Sequence, residues 1–312
     1  MKAAVQQLAR LRQSILAAPL FTATLPRVGH TLQQYALLMR VHRPIGLWLL
    51  MWPALWALWI AASGRPNERI FMVFLVGVFL MRSAGCVIND YADRDIDPFV
   101  ARTRDRPLAA RRVTPPEALL LFAALSMMAV GLVLTLDPLT QLLALIGAVL
   151  TITYPFLKRV FPLPQFYLGA AFGLAVPMAF AAQTGEVPRS AWLLFLATVL
   201  WAGVYDTMYA MVDREDDIRL GVKSSAILFA DADRFIIGVM QVMVLLALSL
   251  IGRDLHMGLW YWLGLGVGAL FFLWQQWLIR KRDPDACFSA FNNNNYFGLV
   301  VFVGILLNYQ FT

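Results

Sequence analysis

Charge is scarce in this chain. Asp, Glu, Lys and Arg make up 14% of its 312 residues and hydrophobic types 60%, whereas soluble domains sit near a quarter and a half. That deficit excludes a water-solvated fold for most of the sequence. Cysteine is nearly absent: Cys86 and Cys287 are too few for a disulfide framework. Neither lies beside an evident base, so nucleophilic thiol chemistry has no candidate. His30, His42 and His256 are scattered without metal-ligand spacing. Residues 1–44 lack an apolar run followed by a small-residue cleavage site, so the first apolar span reads as an uncleaved insertion signal.

What remains is apolar sequence broken at intervals by polar residues. At about 20 residues per spanning helix, the chain has room for about eight to ten spans and none for a separate soluble domain. The apolar runs fall at roughly 45–63, 70–90, 116–136, 139–157, 164–183, 190–212, 235–252, 257–279 and 290–309. Backbone groups in lipid must be satisfied within the segment, so each run is read as a helix, with Pro53, Pro155 and Pro177 as kink positions. The expected fold is all-α and polytopic: nine transmembrane helices over residues 45–312, preceded by a cytoplasmic segment, 1–44.

The net charge of +7 invites a nucleic-acid reading, but its distribution argues for a lipid bilayer instead. With the N-terminus placed in the cytoplasm, the Lys and Arg residues collect in the cytoplasmic loops. Only Arg65, Arg69, Arg189 and Arg253 fall on the opposite side, and Arg82 lies within a span. A miscounted span would scramble that segregation. It therefore supports nine helices, a multi-pass protein of a bacterial inner membrane, and a periplasmic C-terminus at Thr312.

Two cytoplasmic segments, 89–112 and 206–234, are longer and richer in charge than the rest. In the first, Asn89, Asp90, Asp93 and Asp97 are spaced NDxxDxxxD. On a continuing helix, positions i, i+3 and i+7 share a face, and carboxylates crowded there repel unless a cation sits among them. Hard oxygen ligands of this kind suit Mg2+, which uses one or two carboxylates plus substrate phosphate. In the second, Asp206, Tyr209, Asp213 and Asp217 repeat the arrangement, and Glu215 and Asp216 point elsewhere, toward solvent. Two such clusters on helices of parallel orientation can grip a diphosphate through bridging metal ions. The bland alternative, a solvated acidic helix end, is harder to hold for both clusters together, because acids beside a membrane span are costly.

A diphosphate leaving group also needs cations. Lys223 follows the second cluster, and Arg102, Arg104 and Arg106 follow the first. Arg82 lies two helical turns before Asn89 within a span, where its cost predicts a cavity and an anion. Tyr154 and Lys158 form a YxxxK pair on one helix face; an interfacial Tyr with a snorkelling Lys is the competing reading. The stripe Trp48, Trp52, Trp56 and Trp59 reads as lipid-facing or interfacial, and Asn292 to Asn295 as a capped entrance to the last span. A cation transporter would place its carboxylates at midplane on broken helices; here they sit at cytoplasmic helix ends, which suits a phosphate headgroup.

These motifs resemble those of the UbiA-type intramembrane prenyltransferases over nearly the whole chain. They are Asn89-Asp90-x-x-Asp93-x-x-x-Asp97, Tyr154-x-x-x-Lys158 and Asp206-x-x-Tyr209-x-x-x-Asp213-x-x-x-Asp217. The stretches beginning at His42 and at Tyr205 are similar to the branch acting on 4-hydroxybenzoate. The resemblance implies a bundle around a central cavity open to lipid, an allylic polyprenyl diphosphate, Mg2+, and an aromatic acceptor in ubiquinone synthesis. A sister enzyme with another aromatic acceptor is the alternative. No obligate protein partner is evident. Arg43 or Arg82 is expected at the acceptor carboxylate, and Lys158 and Lys223 at the diphosphate.

Overall fold

The computed structural model describes residues 25–100, 102–157, 161, 163–221 and 223–311, and among them every regular element is helical. In chain order these are α1 (Leu25–Leu38), α2 (Ile45–Ala61), α3 (Glu68–Asp93), α4 (Pro115–Val133), α5 (Pro138–Leu157), α6 (Pro164–Gly173) and α7 (Ala175–Thr184). They continue as α8 (Arg189–Val212), α9 (Arg214–Leu220), α10 (Ser225–Phe229), α11 (Asp233–Asp254), α12 (Leu259–Leu278) and α13 (Pro284–Phe311). Each of the nine apolar runs has its helix. Eight helical segments are long and apolar enough to cross a membrane; α2, at 17 residues, is shorter and equally apolar.

Local chemistry sets the boundaries. Asn67 caps α3 by accepting from the Ile70 amide at 3.2 Å. At α4, Pro115 takes the first helical position and Glu117 accepts from the Thr114 amide at 2.7 Å. Pro177 has no N–H and crowds the carbonyl of Gly173, and the helix divides at Leu174 into α6 and α7. The helices containing Pro53 and Pro155 continue through them.

Sequence reasoning left residues 1–44 without structure, but α1 is there, and residues 1–24 lie outside the described residues. Leu38 of α1 is fully buried with Leu80, Ala84 and Val87 of α3 and with Leu108 and Val113. The apolar face of α1 therefore docks on the end of α3 that carries the first acidic motif.

Two expectations are corrected by the core. Trp52 and Trp56 are buried, and Trp56 stacks on Trp201 of α8 at 5.2 Å; only Trp48 is substantially exposed, at 41%. The stripe faces inward because α2 lies inside the bundle, against α7 and α13. The Asn run likewise is not a helix entrance, since α13 begins at Pro284. Asn293 accepts from Gln275 of α12 (3.0 Å), Asn294 from the Trp201 indole of α8 (2.9 Å), and Asn295 from the Trp52 indole of α2 (2.8 Å). Successive residues on a helix point about 100° apart, so one turn of α13 fastens separate neighbours. Gln241 of α11 extends the network by donating to Gln275 at 2.9 Å.

Where hydrophobic burial gives no drive between helices, close packing of small residues does. Gly264 of α12 meets Gly304 of α13 so tightly that a Cβ at Gly264 would lie 2.8 Å from the Val300 carbonyl oxygen and 2.9 Å from the Gly304 Cα.

Candidate active site

The motif-bearing ends of α3 and α8 open on one cavity of about 710 Å3. Its lining includes Asn89, Asp90, Asp93 and Asp97 from the first motif, and Asp206, Tyr209, Asp213 and Asp217 from the second. Arg43, Arg82, Tyr154 and Lys223 line it as well. Residues that lie far apart in sequence are thus collected around one space. Lys158, the second half of the YxxxK pair, lies outside the described residues.

The two motifs are not the unbroken helical faces that spacing suggested. α3 ends at Asp93, and Asp97 begins a short 3₁₀ turn beyond it. Asp97 returns to the same wall because Thr103 donates its hydroxyl to the Asp97 carbonyl at 2.8 Å and Arg106 reaches its carboxylate at 2.9 Å. Asp213 is the joint between α8 and α9, so Asp217 projects from a second, short helix. Behind that joint, Asp233 is fully buried and pairs with Arg214 of α9 at 3.4 Å and with Arg282 at 2.8 Å. That pairing ties α9 to the starts of α11 and α13.

The carboxylates are held by guanidinium groups. Arg40 Nη2 lies 2.6 Å from Asp90 Oδ1, and Arg106 Nη1 lies 3.1 Å from the same oxygen. Arg102 pairs with Asp213 and lies over the Tyr209 ring, 4.5 Å from its centroid; it therefore links the loop after the first motif to the second motif. Arg104 turns outward to Asp105, its side chain 66% exposed. Glu215 is exposed, as expected of it, while Asp216 joins the cavity lining.

Burial pushes the carboxyl of Asp97 above the ordinary range; Arg106 opposes this, and Asp93 and Asp90 reinforce it. Burial does the same at Asp213, with Arg102 opposing and Asp216 reinforcing. Burial penalises the bare charge of both acids, and Arg106 and Arg102 are the cations that offset it.

Arg82 was expected to face the cavity, and it does. Its guanidinium packs over Gly46 of α2, where a Cβ would overlap it, and it reaches the Cys86 sulfur. Gly46 carries no signal in the sequence, yet a side chain there would displace the Arg82 guanidinium. Sequence reasoning also missed Arg40, which had counted only as a loop cation. Nothing in the sequence sets Arg40 apart from the other loop cations; in the structure it lies just beyond α1 with a positive φ of 56°, a region a non-glycine residue seldom occupies.

Apolar side chains line the cavity too: Leu49 and Leu50 of α2 and Leu168 and Phe172 of α6. Phe288 and Phe291 of α13 pack on Tyr209. A lining that combines charged and apolar side chains suits an amphiphile with an anionic end.

A profile of the UbiA prenyltransferase family matches residues 50–301. The chain belongs to that family. Its curated relatives include the 4-hydroxybenzoate octaprenyltransferase of Nitrosococcus oceani, 59% identical over 275 residues that cover 88% of this chain and 96% of the relative. The protein of that name from Alkalilimnicola ehrlichii is 56% identical over 88% of this chain and 94% of its own length. Among solved structures, a UbiA homolog from Aeropyrum pernix K1 superposes with a TM-score of 0.74 at 23% identity, covering 84% of this chain and 97% of that one. A UbiA homolog from Archaeoglobus fulgidus, bound to GPP and Mg2+, gives 0.69 at 16% identity over 88% and 99%. At these identities the structures establish the fold of a UbiA member: a multi-pass helical bundle.

Proposed function

We propose that this membrane enzyme transfers a polyprenyl group from an allylic polyprenyl diphosphate to 4-hydroxybenzoate, at the ring carbon ortho to the hydroxyl. The observation that carries the reading is the meeting of two acidic motifs and apolar side chains in one cavity, in a chain 59% identical to a 4-hydroxybenzoate octaprenyltransferase. In the reaction the allylic C–O bond breaks, diphosphate leaves with both electrons, the ring carbon bonds to the allylic carbon, and the ring proton passes to a base.

Asn89, Asp90, Asp93 and Asp97, with Asp213 and Asp217, are the residues that would hold Mg2+. The donor set fits: these are hard oxygen ligands, and Arg106 already lies within 3.1 Å of both Asp90 and Asp97, so the pair is built around positive charge. When bound, Mg2+ offsets the charge that develops on the departing diphosphate. Lys223, and Lys158 by its motif, serve the diphosphate; Tyr154 and Tyr209 line the cavity beside the reacting carbon. Asp90 or Asp206 is the candidate to polarise the phenol or take the ring proton. The apolar side chains of the lining hold the prenyl chain and keep water from the allylic cation.

The deciding experiment incubates membranes containing the protein with radiolabelled 4-hydroxybenzoate, prenyl diphosphates of several lengths and Mg2+. Prenylated hydroxybenzoate is the expected product. Label incorporation only with a different aromatic acceptor would move the chain to a sister activity.

Arg43, exposed at the rim of the cavity, is assigned to the benzoate carboxylate. A charge-assisted contact contributes about 1.5–3 kcal/mol, and water at the rim reduces it, so Arg43→Ala is expected to raise KM for 4-hydroxybenzoate about tenfold with little change for the prenyl diphosphate. If the diphosphate KM moves instead, Arg43 belongs with the phosphate and Arg82 takes the carboxylate.

The Lys and Arg segregation supports a bacterial inner-membrane protein with residues 89–112 and 206–234 in the cytoplasm. A reporter active only in the periplasm, fused after Arg112, should therefore be silent; activity there reverses the orientation.

A further inference from the structure

We infer that Arg40, Arg106 and Arg102 act as stand-in cations that make divalent-metal binding conditional on the arrival of the diphosphate. The inference rests on the prenyl-transfer reading of the cavity. Arg106 Nη1 sits between two carboxylates, 2.9 Å from Asp97 Oδ2 and 3.1 Å from Asp90 Oδ1, and so occupies the space between two of the residues that would hold the metal. Arg40 holds the same Asp90 oxygen at 2.6 Å. Asp90 is only 2% exposed, so the guanidinium groups replace the water its charge would otherwise need. Across the cavity, Arg102 does the same for Asp213. Among the described residues, no three His, Cys, Asp or Glu side chains converge as a metal site; Asp90, Asp97 and Asp213 are aimed at arginine instead.

A dication entering this arrangement alone would meet the guanidinium charges at a few ångströms in a poorly solvated cavity, and like charges there repel strongly. A diphosphate changes the balance. Guanidinium binds phosphate oxygens through paired hydrogen bonds, so the arginines can leave the carboxylates without losing an anionic partner, and the carboxylates become free for metal. Metal and diphosphate then each favour the other's binding, a positive coupling that is necessarily reciprocal. Arginine suits the task because it stays protonated throughout. The left-handed backbone of Arg40, φ 56°, adds that the α1–α2 junction is held in an uncommon conformation where it contacts Asp90.

The test reads metal binding directly, by electron paramagnetic resonance titration of Mn2+ into the purified full chain without diphosphate. The wild type should bind weakly. Arg40→Gln and Arg102→Gln should each bind at least about tenfold more tightly, equivalent to about 1.4 kcal/mol, and Asp90→Asn should show no such gain. Arg102 lies on a partly exposed loop, so its variant keeps the test open if Arg40→Gln fails to fold. A parallel arm measures retention of radiolabelled pyrophosphate with and without Mn2+, and wild-type retention should depend on the metal. Equal Mn2+ affinity in the wild type and both arginine variants, with pyrophosphate still retained, overturns the stand-in role and leaves the prenyl-transfer reading in place. Failure to retain pyrophosphate at any Mn2+ concentration overturns both.

Discussion

Asp90→Asn is expected to lower turnover about a thousandfold, corresponding to about 4 kcal/mol of transition-state stabilisation. Asp90 is the most enclosed acid of the first motif and the meeting point of Arg40 and Arg106. Its substitution removes a proposed metal ligand and leaves cations where a dication is needed. The fold should suffer much less. Breaking a fully buried ion pair costs about 3–5 kcal/mol, but Arg40 and Arg106 are 22% and 21% exposed, and Arg106 keeps Asp97. The variant should therefore purify as a single species with only a small fall in melting temperature. Asp93→Ala and Asp213→Ala are expected to behave alike. Near-normal prenyl transfer in any two of these variants at saturating Mg2+ would remove the case for a site built from both motifs.

Gly264→Leu is expected to produce the largest loss of stability. A Cβ at this position already falls within 3 Å of the backbone of α13, and backbone, unlike a side-chain tip, cannot swing aside. Overpacking a core costs about 1–3 kcal/mol where side chains can adjust. Here α12 and α13 must separate, so at least about 3 kcal/mol is expected, or roughly 6–12 °C in Tm at about 2–4 °C per kcal/mol. Thermal unfolding in detergent, followed by size-exclusion chromatography of the heated sample, measures it. A Gly264→Leu protein that melts with the wild type would mean that α12 and α13 do not meet at this glycine pair in the membrane.

The sequence made the spans legible because lipid imposes a length and a composition on every crossing helix. It made the acidic motifs legible because a carboxylate next to a span is too costly to be incidental. Its errors have a common physical source. Asp97 and Asp213 were assigned to continuous helices because their spacing is helical; the chain instead breaks at Arg94 and at Asp213 and brings the acids back through tertiary contacts such as Arg106 with Asp97. Trp56 reads as lipid-facing or interfacial because apolar lipid and an apolar core select the same residues, so hydropathy alone cannot say which way a membrane helix faces. Arg40 was hidden for the related reason that a loop arginine satisfies the charge bias of membrane topology whether or not it has a carboxylate to hold.

The asparagines of α13 also bear on how the protein is made. Ribosomes deliver helices in sequence order, so α2, α8 and α12 enter the membrane before the turn that joins them exists. Until Asn293, Asn294 and Asn295 follow, Gln275 and the indoles of Trp201 and Trp52 lack the acceptors they have in the finished bundle. Early helices then hold together only through packing such as Trp56 on Trp201, and the hydrogen bonds that tie the wall bearing Asp206 to α2 by way of α13 form only when α13 inserts. Interrupting synthesis before residue 293 should leave a protein that is integrated in the membrane yet open to protease within its bundle, with assembly completing only as this last helix arrives.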